Sequence, residues 1–365
     1  MTTIIDCDVL IAGAGPTGMS AAIALHDAGY KVMIIDKHEA GLNFSRAILV
    51  NSQTLSLLKP YGVADKIMSM GRSFKSISIN GPNGVILTGQ VNNEHSDDIH
   101  PTGLPQLSTE KCFVEGLSDR GVTITRSCSF KCFDQKECYV DSIIERDGQY
   151  FTVRSQYLLG ADGFHSSVRE GLGLNYNQSA NPILMYSQDA IMDWSCRSDI
   201  NIWILDTGAA LAMKIGDNKV RFAATSKDTF LSLGFNNQIQ QTTWESEFDV
   251  YFAQVDTYGD RRVWLAGDAA HVHSPVGGRG MNMGIADGIR YAEAVINNDF
   301  LSYQRERHAI SNDWVRKNKL FTELMSDKSI TGQIGRAALR SVFRIISIIS
   351  GKNAAKKIFE AIAVG

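Results

Sequence analysis

Residues 7–37 read CDVLIAGAGPTGMSAAIALHDAGYKVMIIDK. The apolar run Val9 to Ala12 has the character of a strand buried on both faces, and it enters Gly13-x-Gly15-x-x-Gly18 without a spacer. Met19, Ala22, Ile23 and Leu25 then recur at helical spacing, Gly29 ends the helix, and Lys31 to Ile35 form a second strand that finishes on Asp36. Each glycine in this strand, turn, helix and strand has a mechanical reason. Gly13 makes the turn, Gly15 lets a pyrophosphate approach the backbone, and Gly18 lets the helix sit close to the strand. Free amides at the helix start attract the anion. Asp36, 18 residues beyond Gly18, can accept hydrogen bonds from an adenosine ribose. The stretch predicts an α/β fold with a Rossmann-like dinucleotide-binding domain, and it does not separate NAD from FAD.

The chain has 365 residues, which suits two intimately joined domains sharing one cleft. With 36 basic and 39 acidic residues its net charge is −3, so nothing global draws it to nucleic acid or an anionic membrane. Of six cysteines, Cys128, Cys132 and Cys138 lack the paired C-x2-C spacing of a zinc site, and their alternation with Phe130 and Phe133 reads as strand packing. Asp6 and Asp8 interrupt the start of the chain, so no secretory signal is expected and the reducing cytoplasm is the expected compartment.

Two later stretches repeat the strand-and-turn plan. YLLGADGFHSSVREGLG (157–173) is a short apolar strand, an Asp162-Gly163 turn and a helix beginning near Ser166. RRVWLAGDAAH (261–271) places Gly267-Asp268 after the strand Val263 to Ala266. Both aspartates stand at carboxyl ends of buried strands, the usual position of a ligand crevice in an open α/β sheet. Glycines 277, 278 and 280 lead into MNMGIADGIRYAEAV, which places free amides, favourable to negative charge, at another helix start. His271 and His273 have i, i+2 spacing with no third ligand beside them, so they are expected to orient this loop and no metal is expected.

Taken together the motifs resemble those of the group A flavoprotein monooxygenases, the para-hydroxybenzoate hydroxylase-like aromatic hydroxylases. The matching set is Gly13, Gly15 and Gly18 with Asp36, Arg46 in FSRAILVNSQTLSLL, Gln106 in LPQLSTE, Asp162-Gly163 with HSSVR, and Gly267-Asp268 with HVHSPVGGRGMN, in family order across roughly residues 6 to 300. The resemblance implies that Asp36 binds the adenosine ribose of FAD, that Arg46 and Gln106 lie along the cofactor, and that Asp268 meets its ribityl and pyrophosphate region. It implies that Asp162 serves both FAD and the nicotinamide donor, with Arg169 either supporting that motif or pairing with a surface acid. Pro275, Gly278, Gly280, Met281 and Asn282 would hold the pyrimidine side of the isoalloxazine ring, Pro275 stiffening the loop. The implied reaction uses NAD(P)H and O2 to hydroxylate an aromatic or phenolic substrate through a flavin hydroperoxide, and it needs no catalytic triad. No catalytic base is legible. A flavin-dependent halogenase or reductase, or a flavin-binding accessory protein, stays open as the alternative, although the halogenase-type W-x-W-x-I-P segment is absent.

The expected division is a discontinuous FAD-binding domain (1–73, 105–177, 262–300), a β-sheet substrate domain (74–104, 178–261) and a C-terminal helical region (301–365). ILMYSQDAIMDW, NIWILDT, AALAMKI and KVRFAATS read as strands of the substrate sheet, and Met185, Met192, Trp203 and Met213 are candidates for an apolar pocket or for core. Three departures from the family stand out. Arg279 replaces a frequent glutamine and could meet the flavin or an acidic substrate. Ala253 and Gln254 stand where an arginine is often found, and no thioredoxin-like carboxyl domain is expected after the FAD domain. From 326 to 365, seven basic residues face two acids, and Leu339, Val342, Phe343, Ile346 and Ile349 form an apolar helical face. That face is expected either to pack on the body or a dimer partner, or to touch a membrane surface; oligomeric state is not legible.

Overall fold

The computed structural model describes residues 4–41, 47–90, 99–178, 182–194, 196, 198–275 and 277–350. The chain opens with β1 (Ile4–Ala12), α1 (Pro16–Asp27) and β2 (Val32–Ile35). β1 is sealed from Val9 onward, where the apolar run begins, and nine of the first ten α1 residues are apolar or small and buried. The chain then leaves for a second sheet with β3 (Ser76–Gly81) and β4 (Gly84–Gln90). It returns through α2 (Gln106–Ser118), β5 (Ile124–Thr125), β6 (Cys128–Gln135), β7 (Val140–Arg146), β8 (Gln149–Gly160) and the short α3 (Ser167–Gly171). A second excursion supplies β9 (Ile183–Met192), β10 (Ile200–Ile204), β11 (Ala209–Lys214), β12 (Lys219–Ala224) and β13 (Ile239–Val250). The chain returns again with β14 (Val263–Leu265) and ends in α4 (Gly280–Asn297), α5 (Phe300–Ser326) and α6 (Ile330–Ser350). The fold is thus α/β, with a Rossmann-like sheet interleaved with a second sheet and followed by helices.

Among the described residues the first sheet runs β14, β8, β1, β2, β5, with β7 and β6 continuing antiparallel beside β8. β1 pairs in parallel with β2 and β8, and β8 with β14, so that Ile35, Ala12, Gly160 and Leu265 lie side by side at one sheet end. The three motifs therefore leave the sheet at neighbouring strand tips. α1 and α4 cross closely over this sheet because glycines face the contact: a Cβ on Gly288 would lie 2.3 Å from the Thr17 carbonyl oxygen.

The second sheet runs β13, β9, β12, β11, β10, β3, β4, antiparallel except for the β10–β3 pair. Alternation divides its two faces. On one, Tyr186, Ala190, Met192, Val220 and Phe222 pack with Phe230 and the half-buried Trp194, Trp203 and Phe235. On the other, Ile77, Ile79, Ile200, Ile204 and Met213 pack against Ile48, Leu49 and Phe74, and against Met325 and Phe343 from the C-terminal helices. Met185 lies on this second face beside Ser274, with 3.6 Å between Ser274 Oγ and Met185 Sδ. Met192 and Trp203 thus belong to the far core, while Met185 lies beside Ser274 and Met213 packs with Ile48 and Leu49. The expected strands are all present, but β13 is an addition. Its sequence IQQTTWESEFDV is mostly polar, because it is an edge strand bonded on one side to β9.

The expected apolar face of α6 is turned slightly. Phe343 is buried and Leu339 and Ile346 are half-buried against the second sheet, whereas Val342 points outward with Ile334, Ile345 and Ile348. Arg336 sets that rotation. It is fully buried and donates to the carbonyls of Leu205, Leu324, Asp206 and Asp327, which satisfies the end of α5 and pins α6 to the loop after β10. No described helix is long and apolar enough to cross a membrane. Residues 351–365, with Lys352, Lys356 and Lys357, and the side chain of Ile349 lie outside the described residues.

Candidate cofactor and substrate site

The first glycine loop is built as its spacing predicts, with a division of labour among its glycines. Gly13 has φ +106°, and a Cβ there would lie 2.2 Å from the Ala161 carbonyl oxygen. A Cβ on Gly18 would lie 2.0 Å from the Gly13 carbonyl oxygen. Gly15 is different: nothing stands within 4 Å of its Cβ position, so internal packing places no demand on that glycine. Asp36 closes the loop from the next strand, its Oδ2 accepting from Ala14 N and its Oδ1 from His38 N, each at 2.8 Å. Half of this carboxylate therefore braces the glycine loop itself. Gln106 opens α2, where its backbone N–H donates to Ala47 and its Nε2 to Glu110 Oε1 at 2.9 Å. Arg46 lies outside the described residues.

At the tip of β8, Asp162 Oδ2 accepts from Val168 N at 3.3 Å, while Oδ1 is buried with no hydrogen-bond partner among the described residues. Burial pushes this carboxyl above its usual range, against the hydrogen bonds from Ser166 and the start of α3. Arg169 is buried and pairs with no surface acid among the described residues. Its Nη1 donates to the Ala269 carbonyl at 3.3 Å and its guanidinium lies 3.9 Å over Tyr176, whose hydroxyl donates to the Asp268 carbonyl. Arg169 thereby ties the second motif to the third. The Asp268 side chain stands exposed at its turn, and Gly267 reaches φ +60° there.

A buried ion network that the sequence did not reveal underlies that turn. Asp287 of α4, fully buried, accepts from Gly267 N at 2.9 Å, from His271 Nε2 at 2.6 Å and from Arg307 Nε of α5 at 2.6 Å. Burial alone would raise the Asp287 carboxyl, yet Arg307 and His271 outweigh it and hold the group down at about 2. The signal was an acid set between the apolar Ile285 and Ile289 of α4, whose partner lies 20 residues on. Gln254, at the position of the expected arginine, is also structural, donating to the His308 carbonyl at 3.0 Å.

Pro275 opens the turn before α4, with Gly278 N donating to its carbonyl at 2.9 Å, and Gly277 and Gly278 take φ +83° and +64°. Gly280 and Met281, half-buried, begin α4, whose first amides have no partner within the helix. Asn282 Nδ2 donates to the Leu49 and Gly278 carbonyls at 2.8 and 2.6 Å, and its Oδ1 accepts from Asn51 N at 3.0 Å. It fastens the turn to the segment that follows residue 46. His273 contacts the Ser274 carbonyl through Nδ1 at 2.9 Å, and burial pushes its pKa down to about 4.

An open approach at Gly15, an orphaned buried acceptor at Asp162, an exposed acid at Asp268 and unpartnered amides at the α4 start fit a long ligand with a pyrophosphate, a hydroxylated chain and an electron-accepting ring. A protein-family model described as FAD binding domain matches residues 6–224 and 218–318. The 6-methylpretetramide 4-monooxygenase of Streptomyces rimosus is 28% identical over 309 residues, covering 78% of this chain and 54% of that protein. The rifampicin monooxygenase of Rhodococcus hoagii is 27% identical over 360 residues, covering 87% of this chain and 71% of that protein. The chain thus spans about half to three-quarters of the length of these relatives. Among solved structures, p-nitrophenol 4-monooxygenase from Pseudomonas putida superimposes with a TM-score of 0.84 at 21% identity, covering 98% of this chain and 97% of that one.

Proposed function

The chain belongs to the FAD-binding domain family of the aromatic, group A flavoprotein monooxygenases, and from that premise we propose that it hydroxylates an aromatic or phenolic small molecule with FAD, NAD(P)H and O2. The balanced reaction takes an aromatic C–H, NAD(P)H, a proton and O2 to the phenol, NAD(P)+ and water. The observation that carries the reading is the convergence of three motifs on adjacent parallel strand tips, with the α4 start and the inner face of the second sheet beyond them.

In this reading, residues 1–73, 105–177 and 262–300 hold the cofactor, and residues 74–104 and 178–261 cover the substrate. Gly13, Gly15 and Gly18 with the α1 amides bind the pyrophosphate, Asp36 the adenosine ribose, and Arg46 and Gln106 flank the chain of the cofactor. Asp162 and Asp268 take its ribityl hydroxyls, and Pro275, Gly278, Gly280, Met281 and Asn282 shape the seat of its ring. When bound, FAD supplies the redox chemistry, accepting a hydride from the nicotinamide and activating O2. The protein supplies orientation and dryness. The α4 amides favour negative charge on the pyrimidine side of the ring. The apolar inner face of the second sheet, with Met185 and Met213, excludes water from the reacting side.

The test is substrate-stimulated NAD(P)H oxidation by the FAD-loaded protein across phenols, aromatic acids and polyketides. The expected result is a product heavier by one oxygen atom. FAD binding without stimulation across the panel supports the accessory reading instead.

A further inference from the structure

Arg279, at the N-cap of α4, is only 6% exposed, and its guanidinium carbon lies 4.0 Å over the ring of Trp314 on α5. Its Nε and Nη2 are buried with no hydrogen-bond partner among the described residues. These two nitrogens form the side-on fork of a guanidinium, and elsewhere in this chain the same fork grips carboxylates. Arg154 binds Asp141 through Nε and Nη2 at 2.8 and 2.9 Å, and Arg120 binds Asp27 at 2.6 and 2.7 Å. Arg279 has no such partner among the described residues. The acid that acts on it is Asp313, half exposed and already paired with Lys317 at 2.6 Å. Burial lowers the Arg279 pKa to about 10, which leaves the group charged at neutral pH. An isolated buried charge is unfavourable unless a counter-charge is delivered to it.

The surroundings show what kind of anion fits. The Trp314 indole, an N–H donor with no acceptor capacity, is buried, and its Nε1 has no partner among the described residues. His273, whose ring stands edge-on to Trp314 at 6.1 Å, donates from Nδ1 to the Ser274 carbonyl, so its unpartnered Nε2 is an acceptor. Trp314 shares one buried face of α5 with Thr322 and Met325, and Met325 packs with Ile48, Leu49 and Met213 between the two sheets. The cation, the donor and the acceptor therefore form one buried polar cluster, without partners among the described residues, where the turn before α4 meets α5.

We propose that Arg279, stacked on Trp314, reads a carboxylate on the aromatic substrate through its Nε and Nη2 fork, with His273 Nε2 accepting from a neighbouring hydroxyl. This rests on the monooxygenase reading and names the substrate class for that same site.

The test compares the FAD-loaded protein and its R279Q and R279K variants. The probes are benzoic, 1-hydroxy-2-naphthoic and anthraquinone-2-carboxylic acids, each against its methyl ester, with Kd read from tryptophan fluorescence and from the flavin spectrum. At least one acid binds the wild type about 10-fold to 100-fold tighter than its ester, the preference disappears in R279Q, and R279K, which keeps the charge without the fork, is intermediate. If no acid outbinds its ester, or if R279Q keeps the wild-type ratio, the proposal is overturned. A change in flavin reduction potential in R279Q with acid preference intact assigns the guanidinium to the cofactor and also overturns it. The parent reading fails separately, through absence of FAD uptake.

Discussion

Replacing Asp287 by Ala removes the carboxylate on which Gly267 N, His271 Nε2 and Arg307 Nε converge, at 2.9, 2.6 and 2.6 Å. Asp287 is fully buried and Arg307 is 6% exposed, so the truncation strands a cation in the interior and leaves the Gly267 amide without an acceptor. Breaking a buried pair in this way costs about 3–5 kcal/mol, and the orphaned amide adds about 1–3 kcal/mol. A loss of about 4–8 kcal/mol is expected in guanidinium denaturation of the apo-protein, with FAD affinity falling as well because Gly267 begins the Asp268 turn. The double variant D287A/R307M removes the stranded charge and should recover about half of the loss. Retention of wild-type stability to within about 1 kcal/mol in D287A would refute the argument, because a buried charge cannot lose its partner without cost. A double variant no better than D287A would place the cost elsewhere than in the charge.

The same network predicts an acid limit. The Asp287 pKa is depressed to about 2 from 3.8, so its contribution, about 2 kcal/mol, is complete above pH 3.8 and is lost as pH falls towards 2. His273 acts earlier. Its folded pKa is lowered from 6.5 to about 4, so the unfolded chain binds the proton more readily and stability declines as pH falls from 6.5 to 4; H273Q should flatten that part of a stability-against-pH curve. Gly15→Ala should leave the apo-protein's Tm unchanged, since nothing lies within 4 Å of the new methyl, while FAD affinity falls about tenfold or more; equal FAD affinity would remove Gly15 from the cradle. Arg336→Met leaves four carbonyls without their donor and should release α6 to limited proteolysis at unchanged FAD content.

The cofactor half of the molecule was legible because its signals are local. A buried strand, three glycines and a terminal acid lie within 28 residues, from Val9 to Asp36, and the tips Ala12, Gly160 and Leu265 meet because apolar runs such as Val9–Ala12 have nowhere to go but a parallel sheet. What stayed hidden is what depends on distant partners. Arg169 could be read either as support for the second motif or as the partner of a surface acid, and only the fold brings it to Ala269, 100 residues later. Asp287 and Arg307 are each unremarkable alone. β13 was missed because an edge strand alternates polar residues into solvent and lacks the apolar density that marks β9 or β10. The outward turn of Val342 could not be read from spacing, because the buried Arg336 determines which side of α6 meets the sheet.

The most direct test of the central claim is reconstitution. The purified chain is incubated with excess FAD, passed through a desalting column, and its bound flavin is counted by absorbance against protein. One yellow FAD retained per chain, with G15A emerging depleted of flavin although folded, is the predicted result. A colourless wild-type protein at saturating FAD, or a G15A that stays fully yellow, would contradict the assignment of those strand tips to the cofactor.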